Sequence, residues 1–138
     1  MSEPLPPVLE RMLALWNGEP VDAADVYGEV CTLDGGRASF GPQQVEQDVR
    51  ALRAASPDMR FEPEDSFGAG ERHVLRFVAR GTHTGEPFQT EIGSAPASGA
   101  KIELRGIEVF ELRDDRIVDV WLGWNFAPLY AALGARIA

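Results

Sequence analysis

At Met59 the apolar residues of this chain change their spacing. Ahead of it they recur every three or four positions; beyond it they alternate, and every break in the alternation is a short turn. Gly68-Ala69-Gly70, Thr84-Gly85-Glu86, the Pro- and Gly-containing stretch 93–99 and Asp114-Asp115 separate expected strands over 59–67, 72–82, 88–92, 101–112 and 116–124. Most of these turns can join only antiparallel neighbours, because a parallel crossover needs a dozen or more residues. Helices first and hairpins afterwards predict a single α+β domain over residues 1–138.

In the helical part, Leu5, Val8, Leu9, Met12, Leu13 and Trp16 form one stripe that ends at Asn17-Gly18. A short strand is expected over 26–33, closed by Asp34-Gly35-Gly36. A second helix opens at Gly41-Pro42, lays Val45, Val49 and Leu52 along one side, and stops at Ser56-Pro57. Residues 126–133 read as a short terminal helix, with Pro128 near its start and Gly134 after it.

The last hairpin carries the most information about function. A two-residue Asp114-Asp115 turn would pair Phe110 with Asp119, Glu108 with Trp121 and Gly106 with Gly123. In that register Leu104, Glu108, Phe110, Asp119 and Trp121 share one face, and Ile107, Val109, Val118, Val120 and Leu122 share the other. Helices can cover only one side of a sheet, so the second apolar face predicts a homodimer and the face with Glu108 predicts a pocket.

Thirteen basic against 22 acidic residues give a net charge of −9, which repels nucleic-acid phosphates and anionic membrane surfaces. The lone Cys31 cannot form an intramolecular disulfide, no Cys/His cluster has zinc spacing, and the Gly35-Gly36 and Gly68-Ala69-Gly70 pieces lack the lysine and helix of a phosphate loop. No metal or other cofactor is expected. No apolar run is long enough to span a bilayer, and Met1-Ser2-Glu3-Pro4 lacks the basic start of a signal peptide, so a cytoplasmic location is expected.

From Gly41 to Gly134 the chain resembles the SnoaL-like polyketide cyclase family of the nuclear transport factor 2-like superfamily. The resemblance rests on Gly41-Pro42 opening a helix and Leu52-Arg53-Ala54-Ala55-Ser56-Pro57-Asp58 closing it. It continues through Gly81-Thr82-His83-Thr84-Gly85, Arg105-Gly106-Ile107-Glu108-Val109-Phe110 and Arg116-Ile117-Val118-Asp119-Val120-Trp121. It implies a cone-shaped barrel of curved antiparallel sheet wrapped around N-terminal helices, a largely apolar cavity and a frequent homodimer. Relatives include ring-closing aldol cyclases, ketosteroid isomerase and limonene epoxide hydrolase, alongside members that only bind ligands or partners. Their shared logic is a carboxylate in a dry cavity, whose raised proton affinity lets it abstract a proton next to a carbonyl.

Glu108 interrupts an apolar strand, so it is either that base or half of a structural pair with an arginine. Asp119, diagonal to it in the expected register and roughly 5–8 Å away, is the expected modulator or second acid. His83 stands at a strand-to-turn junction, where it either donates to a substrate oxygen or caps the turn; His73 reads as a surface residue. Trp121, Asn125, Phe110, Leu104 and Trp16 are the candidate substrate contacts. Arg76, Arg80 and Arg105 read as salt-bridged surface residues.

One departure from the family pattern bears on chemistry. Relatives commonly carry an aspartate shortly after the position of Trp121, where this chain has Leu122, Gly123 and Asn125. The expectation is therefore a cofactor-independent cyclase or isomerase acting on a small, apolar, carbonyl-bearing molecule, with a catalytically silent dimeric ligand-binding module as the alternative.

Overall fold

The computed structural model describes residues 3–90 and 93–132. Helix α1 (Pro7–Trp16) buries Val8, Leu9, Met12, Leu13 and Leu15, the stripe the spacing predicts. Asn17 ends it and ties it to the sheet: its side chain donates to the Phe61 carbonyl (3.1 Å) and accepts from the Phe61 N–H (2.7 Å). A 3₁₀ turn at Ala23–Asp25 leads into β1 (Tyr27–Leu33), which turns into β2 (Ala38–Phe40). Helix α2 (Pro42–Ala55) carries proline in its first turn and buries Val45 and Val49.

The strands after Met59 are β3 (Arg60–Ala69), β4 (Arg72–Thr82), β5 (Phe88–Thr90), β6 (Gly93–Ala95), β7 (Lys101–Arg113) and β8 (Arg116–Asn125), followed by α3 (Ala127–Ala132). The expected ends of the fifth strand at Ile92 and of the last helix at Leu133-Gly134 lie outside the described residues. One six-stranded sheet runs in the order β2-β1-β8-β7-β4-β3, and β5 pairs with β6 as a separate ribbon. The α1 stripe, α2 and the inner face of this sheet enclose the main core around Leu75, Phe77 and Phe110.

Three expectations need correction. The sheet is not a closed cone-shaped barrel: β2 and β3 stand at opposite edges and do not pair. Nor is it wholly antiparallel, because β1 runs parallel to β8, reached through the whole of the intervening chain rather than by a hairpin. His73 is 6% exposed, a buried residue of β4 and not a surface one.

A fourth correction decides the site. The Asp114-Asp115 turn forms as expected, with positive φ at both residues, and pairs Arg113 with Arg116 and Leu112 with Ile117. Val118 then bulges, and beyond it the register slips by one: Phe110 meets Val120, Glu108 meets Leu122 and Gly106 meets Trp124. A one-residue slip exchanges the faces of everything that follows. Val120, Leu122 and Trp124 share the inner face with Glu108, and Asp119 and Trp121 turn outward beside Ile107 and Val109. The face expected to dimerise through Val120 and Leu122 therefore presents Trp121 in their place, beside Ile107, both about half exposed. On this outer side Arg76 and Arg105 pair with Glu64, and Arg80 pairs with Glu103, as expected of surface arginines.

Two sets of contacts secure the chain around the sheet. At β3, the Glu3 N–H donates to the Ser66 carbonyl (2.9 Å), Ser66 Oγ returns a bond to the Glu3 carbonyl (2.6 Å), and the Gly68 N–H donates to the Glu3 carboxylate (3.1 Å). At the other end, Gly85 lies against α2 so closely that a Cβ would come 1.9 Å from the Ala54 carbonyl oxygen, and the Gly85 and Glu86 N–H groups donate to Ala55 and Ala54.

Candidate functional site

Between the inner face of the sheet, α1, α2 and α3 lies a cavity of about 570 Å3. Its aromatic wall is built from both halves of the chain: Trp16 from α1, Phe61 from β3, Phe77 from β4 and Trp124 from β8. The rings meet edge-on or tilted, with centroids 6.1 Å apart for Trp16–Phe61, 6.2 Å for Phe61–Trp124 and 5.0 Å for Phe77–Trp124. The volume suits a molecule of several fused rings.

Glu108 projects into this space from the middle of β7. Its cross-strand neighbours are Leu75 on β4, which is fully buried, and Leu122 on β8, which lines the cavity and is about half exposed. The surface it still exposes faces the cavity, whose lining is overwhelmingly apolar. Burial therefore pushes its carboxyl up to about 8, opposed only in part by a hydrogen bond from the Trp124 indole N–H. The alternative, a structural pair with an arginine, has no support among the described residues, where Arg76 and Arg105 are engaged with Glu64 on the outer face.

The indole reaches Glu108 because of Gly106. This glycine sits directly opposite Trp124 on the inner face, and a Cβ there would lie 2.4 Å from the indole ring. The missing side chain is the slot in which the ring lies flat. Trp124→Phe keeps an aromatic ring in that slot but removes the donor that favours the charged carboxylate, and is expected to move the Glu108 titration upward. Carbon-detected NMR of the Glu108 carboxyl would show it; an unchanged midpoint would mean the indole bond contributes nothing.

Tyr27, at the start of β1, is another polar group that lines the cavity. Its hydroxyl accepts a 2.9 Å bond from the Trp16 indole N–H, which leaves the phenolic proton free to point elsewhere. Burial raises its pKa well above the ordinary value, and the charges of Glu108 and Asp48 raise it further, so the phenol is a firm donor at all working pH values. Gln44, Asp48 and Ser39 add a polar rim where α2 and β2 meet the cavity.

The other expected site residues are placed as follows. Leu104 and Trp16 line the cavity with Glu108. Phe110 is 1% exposed and belongs to the core beneath. Asp119 is buried on the far side of β8, accepting a 2.5 Å bond from Thr32 Oγ1, and is not brought together with Glu108. Trp121 is 51% exposed on the same far side, over Gly35. That glycine has φ +71° and no room for a Cβ, which would come 2.8 Å from the Trp121 ring.

Asn125 caps α3 by accepting from the Ala127 N–H (3.3 Å). His83 is fully buried behind the cavity wall, where its Nε2 bonds the Glu86 carbonyl (2.9 Å) and its ring meets the edge of Phe88, a lining residue. Trp124, Tyr27 and Asp48 are cavity residues that sequence reasoning missed. Trp124 is hidden by the bulge, and a tyrosine at the start of a short strand carries no signal of its own. Among the described residues no group of three or more His, Cys, Asp or Glu side chains is placed to hold a metal, and no helix is long and apolar enough to cross a membrane.

The model of the family described as SnoaL-like polyketide cyclase matches residues 7–133. Among solved structures, the chain is similar to TsrD from Streptomyces laurentii, with a TM-score of 0.80 and 21% identity over 94% of this chain and 93% of that one. It is also similar to IdmH from Streptomyces antibioticus, with a TM-score of 0.71 and 23% identity over 93% and 96% of the two chains. A SnoaL-like polyketide cyclase from Agrobacterium tumefaciens gives a TM-score of 0.66 and 17% identity over 94% and 100%. At these identities the likeness is one of fold. No curated protein matches the chain.

Proposed function

Because the chain belongs to the SnoaL-like polyketide cyclase family, we propose that it is a cyclase or isomerase that removes a proton from carbon next to a carbonyl, with Glu108 as the base. The observation that carries this reading is a carboxylate projecting into an apolar cavity, whose proton affinity, raised to about 8, is matched to carbon acids far better than an exposed glutamate's.

The step balances without a cofactor. The Glu108 carboxylate takes the proton and the substrate becomes an enolate, whose oxygen accepts the free phenolic hydrogen of Tyr27. In an aldol closure the enolate carbon attacks a second carbonyl of the same molecule, and the alkoxide so formed takes the proton back from Glu108. In an isomerisation the proton returns to a different carbon. The aromatic wall holds a planar, apolar body, which favours a polyketide-like ring system as substrate. Asp119 and His83 serve the scaffold in this reading: Asp119 fastens β8 to β1 through Thr32, and His83 holds the turn that presents Phe88.

The test is a pH profile. With the base ionised only near its titration point, kcat/KM for a carbonyl substrate that turns over should rise about tenfold per unit below pH 8 and flatten above it. The alternative, a silent binding module, is favoured by Asn125 capping a helix where relatives commonly carry an acid. It would show ligand binding with no enolisation, read as no exchange of the ligand's α-hydrogens with deuterium.

A further inference from the structure

Glu108 lies beside the mouth of the cavity, because Leu122, its neighbour on β8, is about half exposed, and the lining residues Gln44 and Asp48 of α2 are exposed too. From there the inner face of β7 runs through Gly106 to Leu104, about 13 Å away at the usual rise of a strand. This far end is buried. Leu104 and Leu129 belong to a second core with Met59 and Ile102, and the lining residues Leu52 and Phe88 pack against it.

Leu104, Leu129 and Leu52 stand on β7, α3 and α2, but Phe88 stands on β5, which pairs with β6 and with no strand of the six-stranded sheet. The sheet's own hydrogen bonds therefore do not place this ring. A separate set of fastenings does. The Gly85 and Glu86 N–H groups donate to the Ala55 and Ala54 carbonyls (3.0 and 2.9 Å), which end α2 and have no acceptor role left within the helix. The close approach requires glycine at 85, as the 1.9 Å Cβ contact with Ala54 shows. His83 Nε2 then holds the Glu86 carbonyl (2.9 Å), and its ring meets that of Phe88 edge-on, with centroids 5.4 Å apart.

The histidine keeps this bond at a cost. A carbonyl can only accept, so Nε2 carries the hydrogen, and Nδ1 is left in the interior with no hydrogen-bond partner among the described residues. A leucine would fill the same fully buried site without an unsatisfied nitrogen. It could not hold the Glu86 carbonyl, two residues ahead of Phe88.

We infer that Phe88 is a stop that limits how far a ligand reaches along β7 from Glu108, and that His83 is the positioning residue that holds it there. This rests on the reading of the cavity as a substrate site and adds the residues that select substrates by length. A rigid molecule longer than the run from Glu108 to Phe88 has to displace the ring, and with it the turn fastened to α2.

The experiment is competition binding at pH 6, where Glu108 is uncharged. N-phenyl-1-naphthylamine, a probe that fluoresces in apolar surroundings, is displaced by 4-phenylphenol or by its 4′-alkyl derivatives from methyl to hexyl, which lengthen one stiff rod a carbon at a time. Relative to 4-phenylphenol in the same protein, affinity should climb about fourfold per carbon while room remains, then fall about tenfold or more at one member. In Phe88→Ala the fall should move to a member about two carbons longer, and in Phe88→Trp to a shorter one. The tryptophan variant removes no packing, so it tests the stop even if the alanine variant fails to fold. His83→Leu should lengthen the limit as Phe88→Ala does, whereas His83→Gln, whose amide N–H can still donate to the Glu86 carbonyl, should keep the parental limit. A parent with no fall in the series overturns the inference, as does a fall that stays in place when Phe88 is changed; a parental limit in His83→Leu overturns the role of His83. Rods that displace the probe without a movable limit leave the Glu108 chemistry standing, whereas a probe that does not bind removes the cavity as a ligand site and both readings with it.

Discussion

Glu108→Gln should lower kcat/KM by about two to four orders of magnitude, the usual contribution of a positioned general base. The substitution is nearly isosteric. Its amide oxygen can still accept from Trp124, and its flanks Leu75 and Leu122 are untouched, so the wall and the cavity volume persist. What disappears is the group able to take a proton. Unchanged affinity for an uncharged fluorescent probe such as N-phenyl-1-naphthylamine would show that the cavity is intact, and turnover within a few-fold of the parent in such a protein would remove Glu108 from the mechanism.

The same substitution should change how stability depends on pH, and this effect requires no substrate. In the unfolded chain Glu108 loses its proton near 4.5; in the folded protein it keeps it to about 8. Between those values the native state binds more protons than the unfolded one, so stability falls as pH rises, by roughly 1.4 kcal/mol per unit at most. Below 4.5 both states are protonated and above 8 both are ionised, so the penalty is absent at the acid end and complete at the alkaline end.

Glu108→Gln carries no such penalty and should gain on the parent by several kcal/mol across the window, as an order of magnitude. Buried His73, whose pKa is lowered by desolvation, gives the opposite slope, since stability is lost as pH falls below its ordinary value of 6.5. It is common to both proteins and cancels in the difference. Urea unfolding at a series of pH values measures that difference directly; a flat one would mean that Glu108 titrates as an ordinary carboxyl.

How much of this was legible in the chain depends on whether a residue's place follows from spacing. The α1 stripe, the proline-led α2 and the strands β3, β4, β5, β7 and β8 follow from it, because burial imposes period 3.6 or period 2 on whatever faces a core, whereas β6 forms in the stretch 93–99 expected to be a turn. Glu108 stood out for the same reason, as a charge where the period demands an apolar residue. The bulge at Val118 did not. Val118, Val120, Leu122 and Trp124 alternate cleanly with Asp119, Trp121 and Gly123, but alternation does not say which set joins the Glu108 face, and counting straight from the Asp114-Asp115 turn put Asp119 and Trp121 inside and overlooked Trp124.

The unclosed sheet and the parallel β1–β8 pairing escaped for a different reason. Both are contacts between segments far apart in sequence, and local alternation does not say which edge meets which. Likewise Gly106 reads as a plain strand glycine until Trp124 is known to lie across it.

Glu3 has a consequence for anyone handling this protein. An open sheet offers its last strand's backbone to any extended peptide, and runaway strand-by-strand association is the usual penalty. Here that rim is interrupted at Pro63, which has no amide hydrogen, and stoppered by Glu3 over Ser66 and Gly68. A purification handle fused directly ahead of Glu3 should therefore raise self-association, read by light scattering, above that of the same handle set off by several spacer residues.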